Sequence, residues 1–356
     1  MSDISQASGS QASDAKSEAG DFSNVGRTAW WRRGFFASQT AYVAAALVVI
    51  MIIMSLLSSA FLSSGNLANV AKNFSFVGIV TLGVTLVIVT GGIDLSVGST
   101  MALAAITCAI VMQALSGTAL DGIPLAGMIL SLVAGLGVAV LIGLANGLLI
   151  AKVGLSPFVT TLGMLSIVRG LAYAVTEGRG QAPTGADVNL FYDLTDGNLA
   201  GVPVAVIYLL ILAAILGVVL HHTAFGRHVF ALGGNEKAAA LTGVAVERVK
   251  IAVYVLSALS AGFAGILMVG WLGSAPANLA TGYELTIIAA AVIGGANLTG
   301  GVGGPAGAVI GALLIEVIRN GLVLAGINAY WQIVLVGAII ILAVLVDRMR
   351  TMRMSS

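Results

Sequence analysis

From residue 251 to 283 the chain carries no acidic or basic side chain, and from 197 to 226 none except His221 and His222. Runs of that kind constrain the fold more than any motif. About 20 apolar residues are what a helix needs to cross the hydrocarbon of a bilayer. Comparable blocks predict spans at 41–62, 70–90, 97–116, 125–150, 156–176, 202–222, 249–272, 283–298, 305–325 and 329–347. The expected fold is therefore all-α and polytopic, with about ten transmembrane helices in one domain over 35–350. The eighth and ninth blocks are separated by glycine-rich sequence from 294 to 307, so a re-entrant segment is an open alternative there.

Composition narrows the class further. With 58% hydrophobic and 9% charged residues and a mean hydropathy of +1.05, the chain does not read as water-soluble. Its 46 glycines lie among apolar residues without a three-residue period, which excludes collagen and low complexity. They suit membrane helices that approach closely. A net charge of +1 argues against a nucleic-acid partner. Cys108 is alone, which leaves neither an internal disulfide nor a thiolate metal site.

Residues 1–34 are polar and read as a disordered cytoplasmic tail. The tail ends in Arg27, Trp30, Trp31, Arg32 and Arg33, an interfacial aromatic pair beside positive charge. This lead is too long for a cleaved signal peptide. A short tail, 351–356, closes the chain. With ten spans, the side holding both termini also holds Lys152, Arg227, Lys237, Arg248, Lys250, Arg348, Arg350 and Arg353. The other side keeps Lys72 and Arg179 with Asp121, Glu177, Asp187, Asp193 and Asp196, the last four in a sizeable polar loop at 177–201. That bias predicts both termini in the cytoplasm.

One polar interruption stands out, 223–250. Within it Gly233-Gly234-Asn235-Glu236-Lys237-Ala238-Ala239-Ala240-Leu241-Thr242-Gly243 reads as one small helix. Asn235 is a good N-cap, Glu236 suits the positive end of the helix dipole, and Gly243 can take the left-handed conformation that stops a helix. About two turns cannot stand alone in water, so the helix needs something to dock against.

Small residues recur four apart at Gly135, Ala139, Gly143 and Gly147, and again at Gly303, Gly307 and Gly311. Close helix packing explains both sets better than a pore lining does. There is also an internal echo: Gly91-Gly92-Ile93-Asp94-Leu95-Ser96 returns as Gly294-Gly295-Ala296-Asn297-Leu298-Thr299, each after an apolar run. Paired glycines break helices, and transporters use such breaks in matching halves to build a substrate path. Asp94, Ser96, Asn297 and Thr299 are therefore path candidates. For Asp94, capping of the span that starts near Val97 is the competing role.

Enzymatic readings find little support. His221, His222 and His228 cluster at one span end, where a helix C-terminus favours cations. No HExxH, GxSxG, CxxC or Walker loop is present, so no catalytic residue, metal or cofactor is expected. The charges near or inside spans are Asp94, Arg169, Glu284, Glu316 and Arg319. Glu316 and Arg319 are three apart on one helix and can pair. Glu284 is expected near the outer interface, and Arg169 as an anchor or an internal ion pair.

These residues resemble a known family. His221-His222-Thr223, Gly226-Arg227 and Ala231-Leu232-Gly233-Gly234-Asn235-Glu236, with Ala239 and Gly243, are similar to the central cytoplasmic loop of ribose-type ABC-transporter permeases. So are 90–99, Gly282-Tyr283-Glu284-Leu285, Ile288-Ala289-Ala290, Gly294-Gly295 and Leu342-Ala343-Val344-Leu345-Val346-Asp347. The resemblance implies an importer subunit in the bacterial inner membrane for a neutral, ribose-like monosaccharide, and leaves xylose, galactose and fructose on an equal footing. It implies three partners: a second permease copy, a cytoplasmic ATPase and a periplasmic sugar-binding protein. By the same resemblance, 233–243 is the coupling segment, with Gly233 and Gly234 leading into it and ATPase contacts at Asn235, Glu236, Ala239 and Gly243. A gradient-driven carrier of a small polar solute is the alternative.

Overall fold

The charge-free blocks form helices. The computed structural model describes residues 39–328 and scattered positions from 330 to 341. The tail 1–34 with Trp30 and Trp31, the tenth predicted span as a continuous helix, the stretch 342–347 and the tail 351–356 lie outside the described residues. Among the described residues twelve helices follow in order. They are α1 (Gln39–Leu57), α2 (Ser64–Val89), α3 (Val97–Leu115), α4 (Ala126–Ala151), α5 (Pro157–Thr176) and α6 (Val188–Asp196). After the hairpin of β1 (Asn198–Leu199) and β2 (Val202–Pro203) come α7 (Val204–His222), α8 (Ala224–Gly234) and α9 (Glu236–Leu241). The last three are α10 (Val246–Leu272), α11 (Tyr283–Ile293) and α12 (Pro305–Leu324).

Eight of these helices are long and apolar enough to cross a membrane. The exception among the predicted spans that fall on described residues is the eighth block. Expected over 283–298, α11 has 11 residues and stops at Ile293. At 1.5 Å per residue it covers about 16 Å, roughly half the hydrocarbon. The glycines at 294 and 295 end it where the sequence suggests a break. Helix α2 departs in the other direction and begins six residues before the predicted 70. Ser63 caps it by accepting from Asn66 N (3.3 Å), and its polar first turns run on to Lys72, which pairs with Asp196 at 2.7 Å.

Helices α2, α3 and α10 form the buried centre, while α1, α5 and α7 lie at the rim with their apolar side chains exposed. The exposed apolar rim suits a bilayer, where lipid tails are as apolar as leucine and helix contact is driven by close fit. The centre is rich in small and hydroxylated residues. Buried Ser75, Thr81 and Thr85 each donate to the carbonyl four residues earlier, so none of these three hydroxyls is stranded. The small-residue sets do pack. A Cβ on Gly143 would stand 2.7 Å from Val255 Cα, and one on Gly147 would stand 2.8 Å from Ile251 Cα, both on α10. A Cβ at Gly307 would overlap the Gly294 carbonyl, and one at Gly311 the Ala290 carbonyl, at the end of α11.

The loops sort into two ends. At one end Asp121 accepts backbone N–H bonds from Gly117 (2.9 Å) and Ala186 (2.8 Å), which hold its carboxyl below the usual range. Gln181 exchanges backbone hydrogen bonds with Ala275 there. The polar loop predicted over 177–201 is more ordered than expected. It contains α6, whose Phe191 and Thr195 are buried against the fold. At the other end lie the Thr90–Ser96 turn, α8, α9 and the turn after α11.

Candidate functional site

Thr223 ends α7 and starts α8, its hydroxyl accepting from Gly226 N at 3.3 Å. On the buried face of α8, which also carries Leu232, Val229 joins one apolar cluster with Leu86, Val89 and Leu220. That docking brings Gly233, in the last turn of α8, against the end of α2. A Cβ there would overlap the carbonyl of Val89 and the amide of Gly301, two groups that hydrogen-bond each other at 2.9 Å.

The single helix expected over 233–243 is two helices. Asn235 is extended (φ −160°), closes α8 and caps α9 by accepting from Ala238 N at 3.0 Å. Gly233 and Gly234 thus belong to the preceding helix, and the division falls at Asn235, the N-cap read from the sequence. Gly243 has φ 85°, the left-handed stop expected of it. The face of α9 differs from the expectation at one point. Ala239 is buried, its side chain turned into the protein, whereas Asn235, Glu236 and Gly243 are exposed. Leu241, which sequence reasoning passes over, is 90% exposed at the tip. Glu236 also reaches back to α10, with its carboxylate 2.7 Å from Lys250 Nζ.

The two echoed breaks share a local geometry. Asp94 Oδ1 accepts from Ser96 N (3.0 Å) and Ser96 Oγ (2.6 Å). Asn297 Oδ1 accepts from Thr299 N (2.9 Å) and Thr299 Oγ1 (2.8 Å). Each break contains a glycine with positive φ, Gly91 at 79° in the first and, one position later in the echo, Gly295 at 103° in the second. The breaks also adjoin: a Cβ on Gly91 would meet the Thr299 carbonyl at 3.7 Å. The structure therefore gathers Gly233, the Asp94 break and the Asn297 break at one end of the molecule.

Their surroundings differ. Asp94 and Ser96 are fully buried, and Thr299 is exposed. Asp94 Oδ2 accepts from Ser257 Oγ on α10 (2.8 Å), Asn146 on α4 donates to Ser96 Oγ (2.9 Å), and Tyr254 donates to the Ile93 carbonyl (3.3 Å). Asp94 does not accept from the first amides of α3, whose N-cap is Ser96. It ties the break to neighbouring helices instead. Beneath the break a cavity of about 220 Å³ opens between Thr90, Gly91, Gly92, Tyr254, Lys250 and Glu236.

Glu284 lies deeper than the outer interface expected for it. Its Oε2 and the Ala280 carbonyl fill the space beside Gly98, in the first turn of α3. Arg169 donates to the carbonyls of Ala277 (2.9 Å) and Leu279 (2.8 Å), anchoring the irregular stretch before α11. Glu316 and Arg319 pair at 3.8 Å, and Arg319 also donates to Tyr283 Oη at 3.3 Å.

Comparison with known proteins places the chain among transporter permeases. The family described as branched-chain amino acid transport system, permease component, matches residues 66–344. The ribose import permease protein of Bacillus subtilis is 38% identical over 299 residues, covering 84% of this chain and 89% of that protein. The ribose import permease protein of Escherichia coli K12 is 40% identical over 304 residues, covering 85% and 91%. The galactose/methyl galactoside import permease protein of the same strain is 38% identical over 302 residues, covering 82% and 89%. No solved structure matches.

Proposed function

Since the chain belongs to the family of branched-chain amino acid transport system permease components, we propose that it is the permease subunit of an ATP-driven importer of a neutral, ribose-like monosaccharide. The observation that carries this reading is the joint at Gly233, where the α8–α9 segment sits directly on the end of α2 and on Gly301 in the turn after α11. A push on that segment reaches the breaks through backbone alone.

The push comes from a separate cytoplasmic ATPase, which contacts Asn235, Glu236 and Gly243 and grips the exposed Leu241. Ala239 holds α9 to the permease from behind. A periplasmic binding protein delivers the sugar to the opposite end, and a second permease copy completes the transmembrane unit. The complex sits in the bacterial inner membrane with both permease termini in the cytoplasm. Asp94, Ser96, Asn297 and Thr299 flank the path at its cytoplasmic end. An uncharged polyol needs hydroxyls, amides and free backbone rather than fixed charge, which fits the few ionisable groups inside the spans.

The test is reconstitution. Vesicles holding this chain with its ATPase and binding protein should take up labelled ribose or galactose only when ATP is supplied. Replacing Leu241 with Asp should lower sugar-dependent ATP hydrolysis without lowering permease yield. Accumulation of sugar by the permease alone would instead identify a gradient-driven carrier.

A further inference from the structure

Resting on that reading, the structure points to Lys250 as a further coupling residue. We propose that the Glu236–Lys250 ion pair relays movement of α9 to the Asp94 break through one face of α10. Lys250, Tyr254 and Ser257 are spaced i, i+4 and i+7, so they lie along a single helix face. At the α9 end of that face Lys250 Nζ is 2.7 Å from Glu236. About 10 Å further along the axis, Ser257 donates to Asp94 at 2.8 Å, and Tyr254 between them donates to the Ile93 carbonyl at 3.3 Å. A displacement of α9 therefore has a route through α10 to the residues that hold the break shut. This route is distinct from the backbone joint at Gly233.

The cavity of about 220 Å³ lies on this route. It is lined by Glu236, Lys250 and Tyr254 together with the Thr90–Gly92 turn. Packed protein leaves no room for a segment to shift, and this space is where the turn can go once the pair parts. Lys250 is mostly covered and Glu236 is half exposed. Such a pair is weak, in the range that a partner's binding energy readily overcomes. A relay that opens and closes in each cycle needs that weakness.

A charge-reversal cycle in the reconstituted complex tests the proposal, reading sugar transported per ATP hydrolysed. Lys250→Met and Glu236→Lys should each lower that ratio by about two- to five-fold, the range that an exposed ion pair commands. The double variant Glu236→Lys with Lys250→Glu should restore it, and Lys250→Arg should leave it unchanged. An unmoved ratio in both single variants overturns the relay. So does a double variant that recovers no part of the loss seen in Glu236→Lys, since Glu236 would then act through its ATPase contact alone. Failure of the importer reading is separable, because it appears as absent ATP-dependent uptake in the unaltered complex.

Discussion

Gly233 and Gly234 are adjacent in the chain and nearly opposite in their demands. At 233 a Cβ would meet the Val89 carbonyl and the Gly301 amide, both backbone, and neither can rotate away as a flexible side chain would. Overpacking of that kind costs about 1–3 kcal/mol. At 234 a Cβ would meet nothing within 4 Å, and replacing glycine by alanine where the backbone suits alanine gains about 0.4–1 kcal/mol from reduced entropy of the unfolded chain. Gly233→Ala should therefore lower the melting temperature of the purified permease, and Gly234→Ala should hold or raise it. Thermal scanning in detergent reads both, and equal behaviour of the two variants would remove the joint from the account. A glycine pair in a loop motif gives no sign of this difference. It arises because α2 and the turn after α11 converge on one of the two residues and leave the other free.

Among the elements, glycines divide in the same way between packed and open helix faces. Gly143 lies on the α4 face that meets α10, where an added Cβ would stand 2.7 Å from Val255 Cα and 2.8 Å from the Tyr254 carbonyl. Gly163 lies on the outer face of α5, with nothing within 4 Å of such an atom. Gly143→Leu should force α4 from α10 and sharply reduce the yield of monodisperse protein in size-exclusion chromatography. Gly163→Ala should leave that yield unchanged. Comparable yields would contradict the packing assigned to α4. The four-residue spacing at 135–147 makes this contact legible, because small-residue period and close approach are both properties of one helix. The spanning helices are legible for a similar reason: hydropathy is written locally along each block. What the sequence hides depends on partners far along the chain. The shortness of α11 reflects glycines that could equally have opened a longer loop. The buried side of Ala239 and the depth of Glu284 follow from docking against α8, α10 and α3, which no single segment records. Helix α6 escapes notice because its carboxylates mask the spacing of Val188 and Phe191 within a polar loop.

For the molecule as a whole, the sorting of loops into two ends makes orientation a physical question. Asp196 pairs with Lys72, Asp121 binds the 185–186 turn, and Gln181 bonds Ala275, so these loops share one end. Its fixed charge is mainly acidic once Lys72 is neutralised. Lys152, Arg227, Lys237, Arg248 and Lys250 belong to the other end, with α8 and α9. Short loops rich in lysine and arginine stay on the cytoplasmic side during insertion, while acidic residues weigh little. The α8–α9 end should therefore face the cytoplasm. Cysteine labelling can decide this with low background, because Cys108 is buried. Thr242 and Asn198 are both exposed, one at each end. In sealed right-side-out vesicles a membrane-impermeant maleimide should modify Asn198→Cys at once and Thr242→Cys only after the vesicles are opened. The reverse order would place α9 outside, out of reach of any ATP-hydrolysing partner, and the coupling route through Gly233 and Lys250 would have nothing to drive it.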